Sequence, residues 1–529
     1  MHTMTRLLLP LLLACPLTLA QVPGADTGLL PIADPKLASL VVARVGPATI
    51  TAREFLLSYE FGPAFVKRQE NSRRRYLDFM VNEKLLALDA ADRGGRASPA
   101  VRRSVSEIEG DLATEELYRE DVLNKVHLAE EEIGYAVAGQ RIHYSLRWVY
   151  SSTQEGIERY RQLLARGVGF DSVFRTQLGD SITPDLRSWE TTRFKLKSLR
   201  PMLIAALDTL KPHVPSAPIE GPDGWYIMSL KDVSFDALST ESETIKQRED
   251  ARRALTQQKA DSLADLYVNG IMLAHSPVIE PRTFDLLAGY LAQFWLSNDM
   301  RATMVGGLSV DQETALSAIA DIGRFGTEPL VKMKDRSVTL ARFLSWYRAR
   351  EFVLRLRATS VRAYQASLQQ MVWRMVRDGL LIERAMKRGM QKRESVQTQK
   401  VWWEGKALYA LEKKRLADSI ALDDVKLLDY FRDHRSSYRD VRGDMLLFEA
   451  AKEQVRADCY TAEFTRRLLH RLILLRRTYP VQIDDDALRT LPVENEPDAR
   501  AIDTYFAKKG GTFPRPAFPT IDYEWQGWQ

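Results

Sequence analysis

The strongest constraint in this sequence is an internal repeat. Residues 80–94 read MVNEKLLALDAADRG, and residues 375–389 read MVRDGLLIERAMKRG. Seven of these fifteen positions are identical at a constant offset of 295, far more than two unrelated helices share by chance. Both copies carry paired leucines, an alanine and a final glycine, the pattern of an amphipathic helix with a glycine stop. The chain is therefore predicted to contain two copies of one helical unit.

A second matching stretch lies upstream of each of these helices. Residues 41–59 match residues 329–347 at an offset of 288. The identical positions are Thr51, Phe55, Leu56 and Tyr59 in the first copy, and Thr339, Phe343, Leu344 and Tyr347 in the second. Each copy predicts a short strand, a turn, and a helix that the threonine caps.

The first copy carries a long insertion that the second copy lacks, between Tyr135 and Glu241. Residues Ile142–Tyr150 alternate as in a strand, and Gly156–Arg166 have the spacing of an amphipathic helix. The order continues as short helix, loop, helix and strand, and ends in GPDGWYIMSL (221–230), a turn that leads into a strand. The predicted fold class is therefore α+β, with a mixed α/β module inside a mostly helical protein.

Four motifs in this insertion, taken in order, resemble the parvulin family of peptidyl-prolyl isomerases, as found in exported SurA-type (PpiC-like) folding factors. The motifs are GVGFDSVFRTQLGDS (167–181), DLRSW (185–189), ALDTLKPHVPSAPI (206–219) and GWYIMSL (224–230). The flanking pattern V-x-x-V-G…I-T-x-x-E-F, which begins at Val42, resembles the start of SurA-type chaperone domains. The resemblance covers residues 38 to 290, and extends more weakly, through the repeat, to 328–491.

This resemblance implies where an isomerase site would lie. Active parvulins place two ring histidines on adjacent strands, and here Trp148 and Tyr226 stand at those positions. Asp180 matches the family's acidic position, and Leu203 with Leu207 matches its apolar cup for the proline ring. The reaction needs no cofactor. Three interpretations stay open: residual isomerase activity, an inactive fold that binds extended aromatic-rich peptide, and a structural spacer in which Trp148 and Tyr226 only pack.

The sequence thus predicts an ordered series of segments along the chain. They are a signal peptide at 1–20 (or 1–14 in a lipoprotein), an N-terminal helical chaperone domain at 38–141, a parvulin-like domain at 142–235, a long helix completing the first unit at 236–290, a linker at 291–327, a second helical chaperone unit at 328–491, and a tail at 492–529 rich in proline and aromatic residues. The tail is expected to be mobile or to lie on the surface. A docking peptide for a partner is the alternative.

The first residues indicate export to the periplasm or cell envelope. A short apolar run follows Arg6, and Thr18-Leu19-Ala20 is a cleavage site of the small-x-small type. This pattern predicts a secretory signal, which is too short for a membrane span. An alternative start is Cys15, which follows Leu12-Leu13-Ala14 as in a lipobox and would then be acylated. The other cysteine is Cys459, so a disulfide framework is excluded.

The charge and motif content narrow the class of function. The net charge of +5, from 75 basic and 70 acidic residues, is too small to argue for nucleic-acid binding. The seven histidines show no metal-site spacing, and no nucleotide-binding loop occurs, so no cofactor is expected. The sequence therefore favours an exported chaperone that binds unfolded envelope or outer-membrane proteins, with outer-membrane assembly machinery as a further partner. An active isomerase and a structural lipoprotein of an envelope complex are the alternatives.

Overall fold

The structure, a computed structural model, describes residues 39–178, 188–199, 201–208, 210–221, 224–236, 240–305, 310–492 and 512–528. It divides into two compact units. The helical unit consists of the residues up to Leu117 together with Val268–Gln529, and the sheet unit consists of Tyr118–Tyr267. The described residues are mostly helical with small antiparallel sheets, which confirms the predicted α+β class.

The α-helices of the described residues follow one another in runs that short strands separate. In chain order they are α1 Ala52–Glu60, α2 Ala64–Lys67, α3 Ser72–Asp92, α4 Pro99–Asp121, α5 Glu130–Gln140, α6 Gln154–Ala165, α7 Phe170–Leu178, α8 Arg193–Leu199, α9 Pro201–Leu207, α10 Glu241–His275, α11 Pro281–Trp295, α12 Asn298–Val305, α13 Gln312–Ala320, α14 Leu340–Arg348, α15 Val361–Lys387, α16 Glu394–Asp418, α17 Asp424–Asp433, α18 Phe448–Thr478 and α19 Asp485–Thr490. None of them combines the length and apolar character that a membrane-spanning segment needs.

The strands form three antiparallel sheets. In chain order the strands are β1 Val41–Val45, β2 Ala48–Thr51, β3 Ile142–Ser151, β4 Ser188–Thr192, β5 Ile219–Gly221, β6 Gly224–Phe235, β7 Val278–Ile279, β8 Pro329–Lys332, β9 Ser337–Thr339 and β10 Val481–Ile483. The sheet unit holds the order β4-β3-β6-β5. The helical unit holds two three-stranded sheets, β10-β1-β2 and β7-β8-β9.

The two small sheets of the helical unit are completed by strands that are distant in sequence. β10, near the end of the chain, pairs with β1, so that Ala43 lies opposite Ile483. β7 pairs with β8 in the same way, with Ile279 opposite Val331. The hairpin β1-β2 is therefore completed by a strand from the second half of the chain. The hairpin β8-β9 is completed by β7, which directly follows α10.

The local predictions for the repeated helices are confirmed. The Thr51 hydroxyl accepts a hydrogen bond from the Glu54 amide at 3.2 Å at the start of α1. Thr339 caps α14 in the same manner through the amide of Arg342. Gly94 and Gly389, which follow α3 and α15, both take the left-handed conformation that favours glycine at a helix end.

The two largest apolar cores in the described part of the helical unit lie beneath its two small sheets. The first joins β1, β2, α1 and α3 to α16 and α18, and its buried members include Phe55, Leu77, Leu408 and Leu468. The second joins α11 to α14 and α15. The predicted linker, 291–327, contains α12 and α13, and Leu291 at its start is buried in this second core. The domain boundaries otherwise stay predictions.

The expectation of a mobile or surface-laid tail is wrong for residues 512–528. Ile521 and Trp525 are 3% and 1% exposed, and both belong to the first apolar core. The charged Arg515 is also buried. The physical reason is that these aromatic and proline residues remove more apolar surface from water when packed than when laid on a polar surface.

The sheet unit contains strand β4 and helix α8 where the sequence predicted a loop. β4 pairs with β3 over five residues, with Trp189 opposite Leu146. The sequence of β4, SWETT, is mostly polar, so it did not predict a strand. In the structure Trp189 and Thr191 are on the more buried side of β4, whereas Ser188 and Glu190 are exposed. The closing strand β6 begins at Gly224 as predicted and pairs with β3 along ten residues.

Gly224 is required by its backbone conformation and its surroundings. Its φ is +145°, and a Cβ atom there would lie 2.6 Å from the Ser151 carbonyl oxygen. We expect Gly224→Ala to lower the free energy of unfolding of the sheet unit by about 1–3 kcal/mol. Gly134→Ala is the control, because Gly134 lies in α5 with open space around it and alanine there stabilises a helix by up to about 1 kcal/mol. Urea denaturation checks both, and equal midpoints for the two variants would contradict the assignment.

Candidate functional site

The residues that the parvulin resemblance singles out lie together on one face of the sheet unit. Tyr226 on β6 is opposite Tyr150 on β3, and their rings are 5.3 Å apart. Trp148, two residues before Tyr150, packs on the same side of β3 against the core that contains Met228. This surface, formed by Trp148, Tyr150, Tyr226 and Met228, is called the aromatic sheet face below.

Helix α9 packs the two leucines of the predicted apolar cup into the core that Trp148 and Met228 share. The rings of Trp148, Tyr150 and Tyr226 stay partly exposed. Leu203 and Leu207 are 7% and 4% exposed and belong to the same core as Met228. Trp148, Leu203 and Leu207 therefore share one core, and Tyr226 lies on the same side of the sheet as Trp148; these are four of the five predicted site residues. The fifth, Asp180, lies outside the described residues, as does Cys15.

The aromatic sheet face offers packing surface and few groups for acid–base chemistry. Tryptophan donates one hydrogen bond through its indole N–H, and a tyrosine hydroxyl titrates near 10 in water. His143 lies on β3 as well, but it is at the other end of that strand, where its Nε2 is 2.9 Å from the exposed Asp236 carboxylate. The described residues contain no group of three metal-ligating side chains. The arrangement suits binding of an apolar or aromatic segment.

An ion pair fixes the end of α9 beside this face. Arg193, the first residue of α8, donates to the Asp208 carboxylate at 2.9 Å and to the Tyr144 hydroxyl at 3.2 Å. These hydrogen bonds raise the pKa of Arg193 and lower that of Asp208. Asp208 directly follows α9, so the pair helps to position Leu207 over the sheet.

A second candidate site is a groove in the helical unit, filled by the chain's own C-terminal residues. Thr512–Trp528 are called the tail segment, and the tail groove is the surface of α3, α4 and α16 and the residues near Arg350 that contact it. Asp111 on α4 is fully buried at its base. Its Oδ1 accepts hydrogen bonds from the Thr512 amide at 2.7 Å and the Phe513 amide at 3.2 Å, and its Oδ2 accepts one from Arg515 at 2.9 Å.

Arg350 holds the tail segment from the opposite side. Its Nε and Nη2 donate to the Thr512 carbonyl oxygen at 3.0 and 2.7 Å. Its Nη2 also donates to Glu107 at 2.8 Å, and its Nη1 donates to the Trp346 carbonyl. The guanidinium lies over the rings of Trp346 and Phe513. Arg350 is 1% exposed, so its charge is satisfied almost entirely by these partners.

The far end of the tail segment is held by Glu83 on α3. The Glu83 Oε1 accepts hydrogen bonds from the Asp522 amide at 2.8 Å and from the Trp525 indole at 3.0 Å. The Trp525 ring stacks on Phe79 at 5.3 Å. Lys406 on α16 bridges the two carboxylates, at 2.7 Å from Glu83 and 2.7 Å from Asp522.

Burial and charge act differently on the pKa values of these two carboxylates. Burial raises the pKa of Glu83, and the nearby Lys406 only partly opposes this. Burial also favours a higher pKa for Asp522, but Lys406 and Lys413 outweigh it and hold that pKa well below its usual range. Asp522 is therefore the carboxylate of the pair that carries its charge most firmly.

The tail groove was missed by the sequence analysis, although two of its residues left a signal. Asp111 lies at helical spacing between Ile108 and Leu112, which are buried core residues on α4. Glu83 similarly follows Met80 on the apolar side of α3. A carboxylate within an apolar stripe requires a buried partner, and these partners are Arg515 of the tail segment for Asp111 and Lys406 for Glu83.

Comparisons with known proteins give little. No protein-family model and no curated protein matches this chain. Among solved structures, the chain is similar to the foldase protein PrsA from Streptococcus pneumoniae str. Canada MDR_19A, at 13% sequence identity. The match covers 41% of this chain and 86% of that chain, with a TM-score of 0.20. A TM-score this low does not define a common fold.

Packing should contribute more than the Arg193–Asp208 pair to holding α9 on the sheet. Asp208 is largely exposed, so Arg193→Ala is expected to lower the free energy of unfolding by no more than about 1 kcal/mol. Leu207→Ala removes a side chain that is 4% exposed and should cost about 2–5 kcal/mol. Urea denaturation of both variants checks this order, and a larger loss for Arg193→Ala would reverse it.

Proposed function

We propose that the chain is an exported folding chaperone of the parvulin type, which holds unfolded envelope or outer-membrane proteins. Residues 142–235 are its parvulin-like domain, inserted into the first of two repeated helical units. The observation that carries the proposal is the aromatic sheet face. Trp148 and Tyr226 stand there at the positions where the resembled family has histidines, beside Leu203 and Leu207.

The chemistry of that face favours binding over catalysis. Isomerisation of a peptide bond to proline crosses a barrier near 18–20 kcal/mol, and a catalyst must stabilise the twisted amide more than the planar one. Aromatic and leucine side chains contact the proline ring equally well in both states, so they contribute binding energy and little rate. A surface of this kind holds apolar and aromatic segments of many clients.

The first test is a peptide-based proline isomerisation assay. It compares the isomerisation rate in the presence of the protein with the uncatalysed rate. We expect no turnover above background for the wild type, and no change on Tyr226→Ala or Trp148→Ala. Leu266→Ala is the control, because Leu266 is 70% exposed on α10, away from the aromatic sheet face. Turnover that falls on Tyr226→Ala or Asp180→Ala would instead favour an active isomerase.

The second test measures holding activity directly. Light scattering follows the aggregation of a urea-unfolded outer-membrane β-barrel protein after dilution, with and without an equimolar amount of this protein. We expect scattering to fall severalfold, and an equal mass of an unrelated globular protein to leave it unchanged. No suppression for this or any other unfolded envelope client would contradict the proposed function.

A further inference from the structure

The tail groove binds the main chain of its occupant as well as its side chains. Asp111 accepts from the amide of Thr512, and Arg350 donates to the carbonyl of the same residue. Asp111 and Glu83 also accept from the amides of Phe513 and Asp522. Every extended peptide carries such groups, so these contacts do not depend on the occupant's sequence.

Three side chains of the tail segment fill places with distinct chemistry. Phe513 packs against the small core of Ile108, Leu112, Val396 and Trp403, with the Arg350 guanidinium over its ring. Arg515 lies between Asp111 and Glu115, at 2.9 and 2.7 Å. Trp525 occupies the apolar end beside Phe79 and donates to Glu83. The groove thus holds an aromatic residue, an arginine two positions later and a tryptophan further along.

The tail segment itself has the character of a bound extended peptide. Pro514, Pro516 and Pro519 fix the backbone dihedral φ and favour an extended course over a helix. Its described residues form a short 3₁₀ turn only at Tyr523–Gly527. The groups that bind it lie on α3, α4 and α16 and at Arg350.

From these contacts we propose that the tail groove is a peptide-binding site for extended, aromatic- and arginine-containing segments, and that the tail segment occupies it as an intramolecular competitor. The proposal deepens the proposed function, and rests on it for the identity of the displacing ligand as unfolded polypeptide. Asp111 and Arg350 are buried charges, and a buried charge without its partners is strongly unfavourable. A chain that displaces the tail segment must therefore supply new partners for both charges, so that one extended chain replaces another and the groove is not left empty.

The test uses the full chain and a fluorescently labelled peptide with the sequence of residues 512–528. In the wild type, the attached tail segment competes, so binding should be weak. In Arg515→Ala/Trp525→Ala, the competitor loses its salt bridges and its buried ring while the groove is intact, so the labelled peptide should bind at least tenfold more tightly. Arg489→Ala, an exposed arginine on α19, is the matched control and should bind as the wild type does.

Two further arms keep the test decisive. A labelled peptide with alanine at the positions of Phe513, Arg515 and Trp525 should bind at least tenfold more weakly to the double variant. In the wild type, hydrogen exchange of the Thr512 and Phe513 amides should accelerate when unlabelled peptide is added in excess. Equal affinity of wild type and double variant for the peptide, or amide protection unchanged at the highest peptide concentration, would overturn the proposal.

The same measurements separate this proposal from the proposed chaperone function. Peptide binding to the double variant without suppression of client aggregation leaves the groove's assignment standing and contradicts the chaperone function. Suppression of aggregation that is unaffected in the double variant, together with no peptide binding, contradicts the groove's assignment alone.

Discussion

The pairing of β10 with β1 is the interaction on which the helical unit depends. It fixes a strand from near the end of the chain against the first hairpin, with Ala43 opposite Ile483. Without this third strand, β1 would present an unpaired edge and β1 with β2 would be only a marginally stable hairpin. The corresponding pairing of β7 with β8 completes the other hairpin. The helical unit therefore needs nearly the whole length of its two segments to complete its sheets and the cores beneath them.

In both units the candidate site offers groups that can contact a polypeptide chain. The sheet unit has an aromatic sheet face with leucines over it and without paired imidazoles. The helical unit has a groove in which buried Asp111 and Arg350 satisfy the main chain of an extended segment. Both surfaces offer apolar contact, and the tail groove adds several hydrogen bonds to main-chain groups that every extended chain carries.

The sequence predicted what depends on local pattern and missed what depends on distant contacts. The threonine caps at Thr51 and Thr339, the glycine stops and the strand from Gly224 follow from spacing and backbone conformation. The sequence of β10 does not predict that this strand pairs with β1, because three residues of alternating character fit any sheet edge. The burial of the tail segment was missed because proline-rich composition resembles that of a surface terminus. Asp111 is the signal that could have predicted this burial. It is a carboxylate on an apolar helix face, where it needs a partner from elsewhere in the chain.

The most direct test of the account is site-specific photo-crosslinking to an unfolded outer-membrane β-barrel protein. A photoreactive phenylalanine analogue replaces Phe61, whose ring is 5.4 Å from Phe518 of the tail segment. In the absence of client, it should crosslink within the chain to the tail segment. On addition of client, that product should decrease as a client adduct appears. Crosslinking to the tail segment that is undiminished by saturating client, with no client adduct, would contradict the claim that this protein works by exchanging its own tail for clients.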